Sequence, residues 1–74
     1  MELQWDGTYS GLLEIKKQFK DLKDRFDTKR VINKHKNIDE VKVMGWVIKT
    51  PIGEVPVKKG DWIVQEGSIY LIRN

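Results

Sequence analysis

The chain has 74 residues, with 14 Lys and Arg against 11 Asp and Glu, a net charge of +3 and no cysteine. A chain of this length makes one domain, 1–74, and buries only about 60% of the surface its unfolded form exposes, so the margin of stability is small. Lack of cysteine excludes disulfides, thiolate nucleophiles and Cys-based zinc sites. No apolar run nears the roughly 18 residues of a membrane span, and the opening MELQWDGTYSG has neither a basic n-region nor an apolar core of a signal peptide. The expectation is a soluble, cytoplasmic protein with no membrane contact.

In chain order, Leu3 and Trp5 read as a short strand. Leu12, Ile15, Phe19, Leu22 and Phe26 then recur at spacings of 3, 4, 3 and 4, which predicts a helix over residues 11–27 with Thr8 or Ser10 as N-cap. Two heptads are too few for a coiled coil, so the stripe is expected to face a core. Residues 28–39 read as a basic connection in which Val31 and Ile32 pair briefly.

From Glu40 the period becomes two. Strands are predicted over 41–50, with a bend or bulge at Gly45, and over 54–58, 61–65 and 68–73. The Thr50-Pro51-Ile52-Gly53 turn and the glycines Gly60 and Gly67 place positive φ where reversals need it. The fold class is therefore α+β: one N-terminal helix packed on a strongly twisted antiparallel meander of four to five strands, with a small, partly open barrel as a form of closure.

The closing stretch VKKGDWIVQEGSIYLIRN holds the least expected pattern. Trp62 and Val64 alternate with Ile63, and Ile69 and Leu71 with Tyr70 and Ile72, so both faces are apolar. One helix covers one side of such a sheet; curvature, the Trp5 strand or a second molecule must close the other. Trp5, Trp46, Trp62 and Tyr70 are expected to be core residues first, and those that reach the surface to be interface anchors.

Charge is uneven along the chain. Residues 14–36 hold nine cations and four carboxylates, a local +5 that leaves −2 for the rest. A solvated helix face explains this, since Lys17 and Asp21, Lys20 and Asp24, and Asp21 and Arg25 stand at i,i+4. The competing explanation is phosphate contact by Lys16, Lys20, Lys23, Arg30, Lys34 and Lys36, with Trp46 or Tyr70 stacking on bases. The interleaved Asp21, Asp24 and Asp27 predict that such binding is weak and non-specific.

Nothing in the sequence assembles a catalytic set. His35 is the only histidine and lies among lysines in NKHKN, and the adjacent acids Asp39 and Glu40 point to opposite faces of a strand. Lys-Lys-Gly-Asp leads into a strand, unlike a phosphate-binding loop, which leads into a helix. No catalytic, cofactor-binding or metal-binding residue is expected, and no enzyme.

The segments LQWDGTYSGLLEIKKQF, GWVIKTPIGEVPVKKGDWIV and SIYLI resemble a family of small bacteriophage and prophage proteins without assigned chemistry. The likeness covers about two-thirds of the chain, includes Gln4-Trp5-Asp6-Gly7, and is most specific in the Thr50-x-x-Gly53 then Gly60-Asp61-Trp62 spacing. Residues 26–40 depart from it, being longer and more basic, and the usual glycine-rich tail with Phe-Tyr-Pro is replaced by residues 66–74. The resemblance implies an α+β fold and a phage or prophage origin in a bacterial host cell, and it transfers no catalytic residue. Two functions are carried forward: an interaction module that binds a host or phage protein through Trp46, Trp62 or Tyr70, as a monomer or as a homodimer through an edge strand; and a small basic nucleic-acid-binding module.

Overall fold

The computed structural model describes all 74 residues as one helix and six strands: β1 (Glu2–Gln4), α1 (Tyr9–Gln18), β2 (Asp24–Asn33), β3 (Ile38–Thr50), β4 (Gly53–Pro56), β5 (Trp62–Glu66) and β6 (Ile69–Arg73). The α+β class holds. The strands do not form the expected meander or a barrel, however: they divide into two three-stranded antiparallel sheets, β1-β5-β6 and β2-β3-β4.

Helix α1 starts as the sequence predicts. The Thr8 hydroxyl accepts the Gly11 N–H at 2.9 Å, satisfying one of the donors a helix start leaves open, and the Thr8 carbonyl accepts the Leu12 N–H at 3.0 Å as the first bond of the helix itself. The helix ends nine residues before the expected boundary. Phe19 caps it with non-helical backbone, and Phe19 and Leu22 reach the core from the turn that follows. Beyond it the stripe fails because Asp21, Asp24 and Asp27 are poor helix formers and Thr28, Val31 and Ile32 favour the pleat. Phe26 lies in β2 directly opposite Trp46 of β3.

The core joins both sheets and the helix: Trp5, Leu12, Ile15, Phe19, Leu22, Trp46, Ile48, Val57, Ile63 and Tyr70 are buried in one cluster. Two of its centres are edge-on aromatic pairs, Trp5 with Trp46 and Phe19 with Tyr70, each with ring centroids 5.2 Å apart.

QWDG and GDW meet in space. Trp5 donates its backbone N–H to the Asp61 carbonyl at 3.0 Å, and the Gln4 side-chain amide donates to the Gly60 carbonyl at 3.0 Å. The buried Asp61 carboxylate accepts the Lys58 N–H at 2.9 Å and so closes the turn from within. Gly7, at φ +86°, lies so close to Lys59 that a Cβ there would stand 2.9 Å from the Lys59 Cγ.

The largest departure from expectation is the region read as a basic connection. Residues 28–33 pair with 38–43 in a continuous ladder, and none of residues 27–45 is buried. This hairpin arm accounts for the elongated shape, 47 × 21 × 20 Å. Asn33 makes its tip, because its side-chain oxygen accepts the N–H groups of His35 at 3.1 Å and Lys36 at 3.3 Å, and Asn37 adopts the left-handed conformation at φ +52°. The bulge expected at Gly45 is present one residue earlier in effect: Asp27 faces Gly45 and Thr28 faces Val43, so Met44 is the extra residue.

Candidate interaction surfaces

Two of the three candidate anchors are unavailable. Trp46 is buried and donates its indole N–H to Asp24 at 2.8 Å. Tyr70 is buried against Phe19, and its hydroxyl accepts from the Gln65 amide at 3.3 Å. Burial, and secondarily the Asp21 charge, hold its phenol above the ordinary range, so it stays protonated at neutral pH. Neither ring can stack on a base or enter a partner, because both complete the core.

Trp62 differs. It is half-buried on the outer face of the β1-β5-β6 sheet, where register and alternation set it in a row with Gln4 and Arg73 and put Glu2, Val64 and Leu71 in the next row. Arg73 reaches across β5 to donate to Glu2 at 2.8 Å, with its guanidinium 5.6 Å from the centre of the Trp62 ring. This ion pair spans the apolar residues of β5 and cancels its own charge. The exposed Ile69 continues the same face. The face the helix cannot cover is thus a shallow apolar strip beneath one neutral ion pair.

The six candidate phosphate contacts fall into two groups. Lys16, Lys20 and Lys23 belong to the body. Lys16 is engaged there, 3.4 Å from the Asp24 carboxylate and 4.6 Å from the centre of the Phe26 ring. Arg30, Lys34 and Lys36 belong to the arm. Arg30 is committed to Asp39 through two hydrogen bonds of 2.8 and 2.6 Å, whereas Lys34 and Lys36 occupy the exposed tip beside His35. Sequence reasoning passed over Lys29 and Lys42, which face each other across the arm ladder, and Asp24, the buried partner of Trp46. The signal for the arm was the density of β-branched residues on both sides of Asn33-Lys-His-Lys-Asn37.

An open hollow of about 320 Å³ lies beside Tyr70, lined also by Asp21, Lys23, Lys49 and Thr50. The buried Thr50 hydroxyl is committed to its own turn, donating to the Gly53 carbonyl at 2.8 Å. No three His, Asp or Glu side chains converge as a metal would require, and no helix is long and apolar enough to cross a membrane.

The architecture defines a small α+β domain with two distinct outer surfaces, a neutral sheet face and a basic arm. No family model, curated protein or solved structure matches the chain.

Proposed function

We propose that the protein is a non-enzymatic interaction module of phage or prophage origin, acting in the bacterial cytoplasm, and that it binds a host or phage protein through the outer face of the β1-β5-β6 sheet. The observation that carries this reading is Trp62 on a charge-balanced apolar strip: Arg73 and Glu2 satisfy each other at 2.8 Å above it. A large rigid ring framed by paired polar groups is the composition of a protein-binding hot spot. A nucleic-acid surface would instead set its aromatic among uncompensated cations. The phage origin rests on the QWDG and GDW resemblance alone.

Affinity capture from a bacterial lysate treated with nuclease tests the reading. The wild-type chain is expected to retain a protein partner that Trp62→Ala loses. Ile69→Lys, which alters the same face at an exposed position, is expected to lose it too. Circular dichroism confirms that each variant is folded. Retention by both folded variants, or no nuclease-resistant partner, rejects the sheet face as the binding surface.

A further inference from the structure

We propose that the hairpin arm is a second, independent contact element, one that engages the phosphates of double-stranded DNA without regard to sequence through Lys29, Lys34 and Lys36. The inference rests on the arm and not on the Trp62 face.

Charge is the first observation. Residues 28–44 contain five cations (Lys29, Arg30, Lys34, Lys36, Lys42) and two carboxylates (Asp39, Glu40), a net +3. The rest of the chain contains nine cations and nine carboxylates. The whole net charge of the protein therefore resides on the one element that projects from it. Asp21, Asp24 and Asp27, which interleave the basic run in the sequence, precede the arm, and Asp24 is turned to Lys16 and Trp46. Between Thr28 and Ile38 there is no carboxylate at all.

The pairing on the arm is the second observation. Asp39 binds Arg30, and Glu40 lies 3.7 Å from Lys42. Lys29, Lys34 and Lys36 have no carboxylate within ion-pair distance. Lys29 stands directly opposite Lys42 on the same face of the ladder; Glu40, two residues along on that face, answers Lys42 and leaves Lys29 as a cation with no carboxylate partner. The tip adds Lys34 and Lys36 at the end of that ladder. Arg30, by contrast, ties the two strands together through Asp39 and is not one of the phosphate contacts.

Shape is the third. Six paired rows, at about 3.3 Å per residue, make a two-stranded ribbon roughly 20 Å long. The major groove of B-DNA, about 12 Å wide, admits such a ribbon. Neutralising three phosphates makes log K fall by roughly 3 per unit of log salt, so binding is strong only at low ionic strength.

Fluorescence anisotropy with a labelled mixed-sequence DNA duplex, titrated at several salt concentrations, tests the proposal. The expected result is salt-sensitive binding with a slope near −3. In Lys34→Glu/Lys36→Glu, affinity should fall at least tenfold at low salt and the slope should become shallower by about 2. Both positions are exposed, and the thermal melt should be unchanged. Lys17→Glu/Lys20→Glu makes the same change of net charge on the body and is expected to keep the wild-type slope. Absence of binding at low salt overturns the proposal. So does equal loss in the arm and body variants, which marks a net-charge effect, or a wild-type slope in the arm variant. Loss of a nuclease-resistant protein partner by the arm variant, with duplex binding intact, assigns the arm to an acidic protein instead and likewise overturns it.

Discussion

Gly60 donates its backbone N–H to the carbonyl of Trp5 at 2.8 Å, so the turn before Trp62 is fastened to the strand that opens the chain. The bond spans 55 positions in sequence and joins Gln4-Trp5-Asp6-Gly7 to Gly60-Asp61-Trp62. It also fixes the entrance to α1, because Trp5 in turn donates its indole N–H at 2.8 Å to the carbonyl of Thr8, the helix N-cap.

That turn depends on glycine at position 60. Its φ is +92°, in the region closed to β-branched residues, although a Cβ would meet nothing within 4 Å. Gly60→Val is therefore expected to destabilise through backbone strain alone, by more than about 1 kcal/mol. Urea denaturation measures it, and an unchanged midpoint would show that the backbone tolerates the side chain.

Phe19 is 2% exposed and packs edge-on against Tyr70. It joins the end of the helix to β6, and its removal leaves a cavity between them. Phe19→Ala should cost about 3–5 kcal/mol, enough to unfold much of so small a domain. A circular-dichroism melt like the wild type's would mean that the helix end is not anchored there.

Asp24 accepts the indole N–H of the buried Trp46 and also faces Lys16. Asp24→Ala leaves that N–H without a partner and is expected to cost about 1–3 kcal/mol. Trp46→Phe, which removes the donor, should weaken the effect of Asp24→Ala when the two are combined. A double-mutant cycle with strictly additive changes would deny the coupling.

Two carboxyls are held below the ordinary aspartate range. For Asp6 the Thr8 hydroxyl, at 2.6 Å, is the larger cause and the Thr8 N–H the next; for Asp39 it is the Arg30 guanidinium. A depressed folded-state pKa contributes stability that is complete above the unfolded aspartate value and is lost as pH falls through the folded value. Both contributions should therefore persist at neutral pH and disappear on the acid side. Carboxyl NMR titration is expected to give low midpoints that Thr8→Ala raises for Asp6 alone and Arg30→Met raises for Asp39 alone.

Trp62 and Trp46 are alike in sequence, each followed by a β-branched residue, yet one reaches the surface and the other is in the core. The period of the stripe was enough to name Leu12, Ile15, Phe19 and Leu22 as core residues, and Thr8 and Gly60 were legible from local chemistry. Exposure of a strand residue depends on which sheet it joins, and that is decided by partners far along the chain.

What the sequence determined by itself was local: an α+β chain, a helix begun at Thr8 or Ser10, reversals at Gly53, Gly60 and Gly67, and an uneven charge. Each follows from steric and periodic preferences that act over a few residues. The tertiary structure decided where the helix ends, how six strands divide into two sheets, and that residues 28–44 form an arm rather than a connection. A short run such as Asp24 to Asn33 carries both helical spacing and β-branched content. The ladder with β3 and the bond from Trp46 to Asp24 settle the choice, since backbone pairing and burial of a ring across 22 residues outweigh the small differences in local propensity.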